Sequence, residues 1–356
     1  MSDPTRLSRH YTTMVVAAVS LIALTCVAFL VPVPYVAMRP GPTFNTLGDI
    51  DGKQMLTIDK DVKTYPTSGR LDFTTVSVTR AESSLLLGDA VVAYFDDDTA
   101  VVPKSLVYPE EQSDQQATER SAAELSGSKD SSQVAALRAA GYTVTGIPTV
   151  ASVVKGGAAE GKLRAGDLVR AVDGTKVSSS AQTVKAVASH TPGEKVSLAI
   201  TRKGAARTVR LTTKPDAENP KLPRIGVTLG TTYRYPFTVT NNVGRQVGGP
   251  SAGTMFALAI YDKLTPGSLT GGRKIAGTGE MLEDGTVGPI GGVRQKMAGA
   301  AERGAEVFLV PAANCDEATD GTDFGMTLVK TSTLKNAISS LQALAKNQDA
   351  KVPLCR

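Results

Sequence analysis

The sequence predicts an α+β protein with one N-terminal transmembrane helix and two folded domains behind it. Three observations support this prediction. An apolar run lies near the N-terminus, residues 143–215 alternate in the manner of short β-strands, and residues 222–345 mix glycine-rich turns with small-residue helices. The chain has 356 residues, which leaves room for two domains of about 100–200 residues each.

The composition excludes several classes of function. The two histidines, His10 and His190, are too few for a zinc site or for a catalytic device with several imidazoles. The three cysteines, Cys26, Cys315 and Cys355, form no CxxC motif. The net charge of +5 comes from scattered basic residues, so no nucleic-acid partner is predicted. No cofactor is predicted either.

A metal hypothesis arises at the acidic run Asp96–Asp98. The run lacks the alternating ligand spacing and the closing glutamate of a calcium loop. A solvated turn is the expected structure, and the sequence predicts no metal site.

Residues 13–36 are predicted to form a membrane anchor. No charged side chain occurs between Arg9 and Arg39, and Met14–Val31 alone can cross a hydrocarbon core of about 30 Å as a helix. The basic residues before it predict a cytoplasmic segment 1–12 and a catalytic region outside the cytoplasm. The alternative is a cleaved signal peptide, whose apolar core is typically shorter, about 7–15 residues.

The first block after the anchor, residues 45–141, is predicted to mix strands and helix. Met55–Ile58 and Leu71–Val78 have strand character and flank a turn at Tyr65–Gly69. Asp114–Gly141 is rich in alanine and predicts one or two helices that end at Gly141.

The second block, residues 143–215, resembles a PDZ domain. The resemblance lies in Thr149–Val177, TVASVVKGGAAEGKLRAGDLVRAVDGTKV, followed by a helix at Ala181–Ser189 and a strand at Lys195–Thr201. Such domains bind an extended peptide along an exposed sheet edge. Gly146–Thr149 is the candidate for the loop that holds a terminal carboxylate in this family. Two roles stay open: a module that recruits substrate, and a module that only positions its neighbour.

The third block, residues 222–345, carries the candidate chemistry. Gly248, Gly249 and Pro250 predict a tight turn before Ser251, and a helix pattern starts at Ala252. A serine at such a junction lies among free backbone N–H groups at the positive end of a helix dipole, where an oxyanion can be stabilised. An N-cap role is the alternative, and one serine can serve both.

A serine nucleophile needs a general base. His10 is predicted to lie across the membrane and His190 in the PDZ-like block, so a lysine is the remaining common choice. Lys296 follows Gly291–Gly292 and has small or apolar neighbours. Burial lowers a lysine pKa by up to about 3–5 units, which yields the neutral amine. The alternative is an ordinary lysine on a solvated helix face.

Four ordered motifs resemble the proteolytic domain of the Lon peptidases, which use a Ser–Lys dyad. They are GPSAG at Gly249–Gly253, TGE at Thr278–Glu280, DGTVGPIGG at Asp284–Gly292, and a lysine 45 positions after the serine. The resemblance implies that Ser251 is the nucleophile and Lys296 the general base. It also implies supporting roles for Gly249 and Pro250 in the turn, and for Thr278 as a hydrogen-bond partner of the Lys296 ammonium. Gly248 stands where many Lon peptidases carry an acidic residue.

The order of anchor, PDZ and Lon-type blocks resembles the bacterial membrane-anchored PDZ–Lon peptidases over nearly the whole chain, including MRPGPTFNTLG at Met38–Gly48. No G-x-x-x-x-G-K-[ST] loop occurs, so an ATP-independent endopeptidase is expected. Its expected partners are the membrane and exposed segments of secreted or membrane proteins, and a homo-oligomer is left open. The alternatives are a non-catalytic PDZ adaptor with a retired peptidase domain and an acyltransferase that uses the same dyad.

Cys315 and Cys355 are predicted to form a disulfide, because both lie beyond the anchor, where an oxidising compartment is expected. The bond ties the C-terminal tail, residues 346–356, to the catalytic core. Two free thiols are the alternative.

The PDZ-like block is predicted to interrupt the peptidase domain. Residues 222–345 are few for a complete Lon-type domain. Gly52–Val76 resembles the opening strands of that domain, and Asp114–Gly141 supplies a helix. The polar stretch Asp216–Pro223 is expected to be the second linker. The alternative is a row of independent domains.

Overall fold

The computed structural model describes residues 4–50, 52–108, 113–244 and 247–356, with side chains from His10 onward in the first range. The helices are α1 Pro4–Phe29, α2 Leu87–Tyr94, α3 Lys104–Val107, α4 Asp114–Ala139, α5 Ser180–Ala188, α6 Gly253–Leu264, α7 Val293–Glu302, α8 Cys315–Thr319 and α9 Leu334–Lys346.

The strands of the first half are β1 Pro32–Val33, β2 Tyr35–Asn45, β3 Asp49–Ile50, β4 Lys53–Gln54, β5 Leu56–Ile58, β6 Arg70–Val78, β7 Leu85–Leu86, β8 Ala100–Pro103, β9 Thr145–Val153, β10 Leu168–Val172 and β11 Thr175–Lys176. Those of the second half are β12 Lys195–Arg202, β13 Ala205–Thr212, β14 Lys214–Pro215, β15 Pro223–Arg224, β16 Val227–Arg234, β17 Val239–Asn241, β18 Lys274–Gly277, β19 Glu280–Met281, β20 Val287–Gly288, β21 Val307–Pro311 and β22 Thr327–Thr331.

The chain divides into two compact units. Unit 1 consists of Met1–Ala140 and Val239–Arg356, and unit 2 is Gly141–Thr238. Helix accounts for 32% and strand for 30% of the structure, which confirms the predicted α+β class.

One N-terminal helix is long and apolar enough to cross a membrane. Its apolar part, His10–Phe29, spans 20 residues with a mean hydropathy of 2.2, and none of it is buried in the protein. The helix ends at Phe29, earlier than the predicted boundary at residue 36. Pro32 and Pro34 explain the early end, because proline lacks the N–H that a helix interior requires.

A six-stranded sheet forms the centre of unit 1, in the order β22-β21-β18-β6-β2-β8. β18 pairs in parallel with β6, so that Ile275 lies opposite Leu71 and Gly277 opposite Phe73. The strands β2, β6 and β8 precede unit 2 in sequence, whereas β18, β21 and β22 follow it. The sheet therefore needs chain segments from both sides of unit 2.

Two helices cover opposite faces of this sheet. Phe256 of α6 packs edge-on against Phe73 of β6, with ring centroids 5.3 Å apart. Met297 of α7 shares a buried cluster with Ala276 of β18. Side chains alternate between the two faces of a sheet. Ala276, which contacts α7, and Gly277, which lies opposite Phe73, are consecutive in β18 and face opposite sides of the sheet. Helices α6 and α7 therefore lie on different faces.

Unit 2 contains a sheet in the order β13-β12-β10-β9-β16, with β11 paired to β10. Its core is built from aliphatic side chains such as Val150, Leu198 and Ile200. β16 pairs antiparallel with β9, from Val227 opposite Val153 to Arg234 opposite Thr145. The predicted block boundaries at 215 and 222 therefore lie before the last strand of this unit.

The stretch Asp216–Pro223 is a closed turn within unit 2, where a linker between blocks was predicted. It joins β14 to β15, which pair with each other. The Asp216 carboxylate accepts hydrogen bonds from the backbone N–H of Glu218 and Asn219 and from the Arg224 guanidinium. A polar, proline-containing composition is shared by linkers and capped turns, so the sequence pattern did not distinguish them.

The C-terminal tail runs beside β22. Cys315 and Cys355 are joined by a disulfide. The backbone N–H of Cys355 donates to Leu328 O at 3.1 Å, and that of Lys330 donates to Pro353 O at 2.9 Å. Both cysteines lie in the buried cluster that also contains Met297.

We expect Cys355→Ser to lower the free energy of unfolding. The sequence separation of 40 residues corresponds to about 3–4 kcal/mol in the chain-entropy account of a disulfide. Urea unfolding of the detergent-solubilised chain, with and without reductant, measures the difference. Cys26→Ser is the matched control, since Cys26 is an exposed free thiol. Two thiols that titrate in the native, non-reduced protein would contradict the bond.

The buried carboxyl group of Asp262, in α6, leads to a second prediction about stability. It is buried; one carboxylate oxygen accepts from Leu269 N at 2.7 Å, and the other has no hydrogen-bond partner within the described structure. Burial raises the pKa of Asp262 from 3.8 to about 6. Because the protonated carboxyl is favoured in the folded state, Asp262 contributes its full share to the free energy of unfolding below about pH 4. This contribution is lost as the pH rises through about 6.

Asp262→Asn should therefore stabilise the protein at pH 7–8, by up to about 3 kcal/mol. The variant should also lose the decline in stability between pH 4 and pH 7 that this residue causes. Thermal unfolding across that range compares it with wild type and with Asp349→Asn, an exposed control. Equal pH profiles for wild type and Asp262→Asn would show that the carboxyl is ionised without penalty.

Candidate active site

A tight turn presents Ser251 at the start of α6. Gly249 has φ = 80°, a left-handed conformation that favours glycine. Pro250 follows, and its carbonyl oxygen accepts from Gly253 N at 3.2 Å. Ser251 is half-buried, whereas Ala252 and the residues after it are buried in the core. The turn thus holds a serine at the surface on a rigid support.

Helix α4 is hydrogen-bonded to this turn at three positions. Gly249 N donates to Ser121 O at 2.9 Å. The Ser128 hydroxyl donates to Pro250 O at 2.8 Å, and the Ser132 hydroxyl donates to Gly253 O at 2.8 Å. These serines were not among the site residues predicted from the sequence. Their spacing of seven and four residues on a predicted helix was the available signal, since it puts them on one face.

The glycine at position 248 also reflects the contact with α4. A Cβ atom at Gly248 would clash with the Ser121 hydroxyl. The side chain of Ser121 therefore occupies the space beside the turn that a Cβ at position 248 would enter.

Thr278 is tied to the nucleophile turn from the other side. Its hydroxyl donates to Ser251 O at 3.1 Å, and the next backbone N–H, that of Gly279, donates to the same oxygen at 2.8 Å. Thr278 is buried. The structure thus brings Thr278 and Ser251 together, while the bond from Thr278 to the Lys296 ammonium stays a prediction.

Lys296 lies on the face of α7 that packs on strands β2 and β6. Gly292, Lys296 and Gly299 share this face, because positions i, i+4 and i+7 align on a helix. A Cβ at Gly292 would lie 3.0 Å from the side chains of Met38 and Val76, and one at Gly299 would lie 3.0 Å from a β2 carbonyl oxygen. Glycine lets the helix approach the sheet this closely.

The end of β18 leaves a gap that Ser251 borders. β18 ends at Gly277, opposite Phe73, while β6 continues to Val78. A cavity of about 320 Å³ lies at this point, between Ser251 and the continuing strand, residues 74–77. The start of α7, the helix that carries Lys296, approaches the same part of β6, since a Cβ at Gly292 would lie 3.0 Å from Val76.

No hydrogen bond joins the Lys296 ammonium to the Ser251 hydroxyl among the residues that the structure describes. Catalytic hydrogen bonds of this kind commonly tighten only when substrate is present.

The electrostatic environment of Lys296 suits a general base. Its side chain is 2% exposed. Burial lowers the pKa of Lys296 to about 7, and the Glu317 carboxylate opposes this shift in part. At neutral pH a large share of the amine is therefore uncharged and able to accept a proton.

Asn314 orders the loop that leads into α7, and the sequence analysis did not identify it. Its amide oxygen accepts from Ile290 N and its amide nitrogen donates to Ile290 O, both at 2.9 Å. The same nitrogen donates to Glu317 at 3.1 Å. Asn314 thus links the charged neighbour of Lys296 to the start of the lysine helix.

A second candidate site lies within unit 2. A groove of about 680 Å³ runs between α5 and β16, lined on the helix side by Val184 and Val187 and on the strand side by Val227 and Leu229. Gly226, with φ = 73°, lies in its lining. Three basic residues also line it: Lys155, Lys214 and Arg224.

The predicted carboxylate loop at Gly146–Thr149 is not part of this groove. These residues belong to β9 and pair with β16, Gly146 opposite Tyr233 and Thr149 opposite Gly230. The loop before β16, around Gly226, borders the groove instead. The predicted position was wrong because β16, the strand that borders the groove, lies beyond the predicted PDZ-like block, residues 143–215.

The described residues contain no group of three or more His, Cys, Asp or Glu side chains placed to hold a metal ion.

Comparison with protein families identifies two domains. Residues 125–213 match the PDZ domain, and residues 245–339 match the C-terminal proteolytic domain of Lon protease (S16). A search of curated proteins found no match.

Solved structures similar to the chain include small PDZ domains. The PDZ domain of an SdrC-like protein from Listeria monocytogenes is 26% identical, over 23% of this chain and 85% of that one, with a TM-score of 0.22. The corresponding domain from Listeria innocua is 27% identical, over 23% and 90%, with a TM-score of 0.21. A solution structure from Geobacillus thermodenitrificans is 32% identical, over 22% and 92%, with a TM-score of 0.21.

Proposed function

The chain carries a PDZ domain and a Lon-type proteolytic domain, and from this premise we propose that it is an ATP-independent serine endopeptidase. Ser251 is the nucleophile and Lys296 the general base. The enzyme is held in the membrane by α1 and cleaves exposed segments of secreted or membrane proteins outside the cytoplasm. The observation that carries this proposal is the desolvated amine of Lys296, whose pKa burial lowers to about 7. Ser251 borders a cavity that can admit substrate.

The proposed reaction is acyl transfer. Neutral Lys296 takes the proton from the Ser251 hydroxyl as Oγ attacks the carbonyl carbon of the scissile peptide bond. The lysine then gives this proton to the leaving amine, and the acyl group stays on Oγ. Water, activated by the same amine, attacks the ester and releases the acid, which restores both residues.

Two backbone N–H groups near the nucleophile are available for the oxyanion of this reaction. The N–H groups of Gly249, Gly253 and Thr254 are not available, because they already donate to carbonyl oxygens within the protein. The N–H groups of Ser251 and Ala252 donate to no protein acceptor in the described structure. They lie beside the nucleophile at the positive end of α6, which is where a developing negative charge is best stabilised.

The cavity beside Ser251 supports an apolar residue at the cleavage site. Its lining includes Phe44, Phe73, Val76 and Ala252. Among the described residues, no strand pairs with β6 on the β18 side after Phe73, because β18 ends there. An extended substrate segment can pair with this free edge, as in other cases of strand addition.

The groove of unit 2 supports a recruiting role for the PDZ domain. It offers an apolar lining and a strand edge, both of which an extended peptide requires. Arg224 is paired with Asp216, which also lines the groove, whereas Lys155 and Lys214 favour an acidic group on that peptide, such as a carboxylate.

The catalytic domain is proposed to be discontinuous, with the PDZ domain inserted between its two halves. The division of the chain into units supports this arrangement, since the central sheet of unit 1 combines strands from both halves.

A serine-reactive phosphonate tests the proposal on the full chain in detergent. We expect labelling at Ser251 and cleavage of an unfolded protein without added ATP. Ser339→Ala, at an exposed position of α9, is the matched control and should label fully. An unlabelled wild-type protein that binds peptides but cleaves none would instead favour the adaptor function.

A further inference from the structure

A surface of exposed apolar side chains lies next to the end of α1, and we propose that it inserts into the headgroup region of a lipid bilayer. This α2–α3 surface consists of Val92, Tyr94 and Phe95 of α2 and its end and of Leu106 of α3, which are 71%, 74%, 79% and 75% exposed. Helix α3 begins beside the end of the anchor, since Lys104 N donates to Pro34 O at 3.0 Å. The inference rests on the proposal that α1 spans the membrane. It adds a second, peripheral contact that orients the catalytic unit on the bilayer.

The α2–α3 surface is joined directly to the end of the membrane helix. Leu87 N, at the start of α2, donates to Val31 O at 2.8 Å. β1 pairs with β7, the strand immediately before α2. A Cβ at Gly88 would come within 2.6 Å of the Phe29 ring, so α2 packs against the last turn of α1. A bilayer that holds α1 therefore meets α2 where the anchor leaves it.

Helix α2 presents its larger apolar side chains outward. Its small residues Ala90 and Ala93 face the protein, where they pack with Ala37 and Leu85. Val92 and Tyr94 point to the outside. A helix that only covered a protein core would bury its large apolar side chains and expose small or polar ones. The exposed apolar face of α2 therefore fits an apolar partner.

The aromatic pair at the end of α2 suits the membrane interface. Tyr94 and Phe95 contact each other edge-to-face, with centroids 5.5 Å apart. Tyrosine is enriched at the headgroup level, where its ring is buried and its hydroxyl stays hydrated. Interfacial helices bury their apolar face about 5–10 Å into the boundary region.

The charges beside the α2–α3 surface favour lipid insertion driven by apolar contact. The next residues, Asp96–Asp98, form a turn in which the Asp96 carboxylate accepts from Asp98 N and from the Thr99 hydroxyl. Lys104 at the start of α3, and Arg39, whose charge lowers the pKa of Asp96, offset part of this acidic charge, so the surface provides no net attraction to an anionic membrane. Binding of the α2–α3 surface should therefore be insensitive to salt.

The absence of tryptophan from the sequence makes a direct test available. Phe95→Trp introduces a single, selectively excitable tryptophan into the full chain, reconstituted in phosphatidylcholine vesicles with brominated acyl chains. Leu354→Trp is the matched control: it is 39% exposed and bridges to β22, at the far edge of the six-stranded sheet. With about 4.8 Å between strands, that edge lies roughly 24 Å from β8.

We expect bromine to remove about half or more of the emission from the Phe95→Trp variant, since interfacial side chains reach the upper acyl region. Emission from the Leu354→Trp variant should change little, and 1 M salt should not reverse the quenching. Val19→Trp, within α1, reports on the anchor separately and should be quenched most strongly. Quenching of Val19→Trp without quenching of Phe95→Trp overturns the inference and leaves the anchor intact. Absence of quenching in Val19→Trp overturns both.

A protein partner has a different signature. Blue-shifted Phe95→Trp emission that bromine does not quench and that depends on protein concentration would show the α2–α3 surface to be a contact between copies of the chain. That result would also overturn lipid insertion.

Discussion

Ser251→Ala and Lys296→Ala should each reduce peptide hydrolysis to background, a loss of about 10⁴–10⁶-fold in kcat. The two losses should not add, because nucleophile and base act as one unit. Lys296→Arg should be equally inactive, since a guanidinium stays protonated and cannot accept the serine proton. Lys335→Ala, on an exposed face of α9, is the control that removes a lysine from elsewhere.

The pH dependence provides an independent check of the lysine. Because burial lowers the pKa of Lys296 to about 7, kcat/KM should rise as the pH increases through this value. Glu317→Gln removes the carboxylate that raises this pKa, so its activity profile should shift to lower pH.

Lys296→Met should fold and be at least as stable as wild type, because no buried amine has to lose its charge. Turnover by purified Ser251→Ala, or a profile flat between pH 6 and 8, would contradict the dyad.

Removal of unit 2 should leave a folded catalytic unit, whereas removal of the N-terminal half should destroy it. Fragment 222–356 lacks β2, β6 and β8, so the edge of β18 is exposed and Phe256 loses its contact with Phe73. It also lacks α4, whose serines hold the nucleophile turn. We expect this fragment to aggregate and to show no labelling by a serine-reactive probe.

The complementary variant joins Ala140 to Val239 through a short Gly/Ser linker. The chain segments that enter and leave unit 2 run side by side, since Tyr142 and Phe237 stack edge-to-face at 5.0 Å. The joined chain should therefore fold cooperatively and retain labelling at Ser251, with Ser251→Ala in the same background as control. A soluble, cooperatively folded and active fragment 222–356 would instead show that the domains are independent and arranged in a row.

The sequence alone determined those features that local composition encodes. The apolar run without charge predicted the N-terminal helix, and the glycine and proline around Ser251 predicted the turn that the structure contains. The PDZ and Lon-type motifs were recognised because their turn residues follow one another in sequence, where each position has a local steric reason.

The tertiary structure alone decided which distant segments meet. β16 joins the sheet of unit 2 through pairing with β9, about 80 residues earlier, and no local pattern reveals such a partner. The supports of the candidate site also come from separate parts of the chain: Ser128 bonds to Pro250, 122 residues away, and Asn314 to Ile290, 24 residues away. A hydrogen bond between remote residues depends on the geometry of the folded chain, and a single sequence carries only the residue types that could form it.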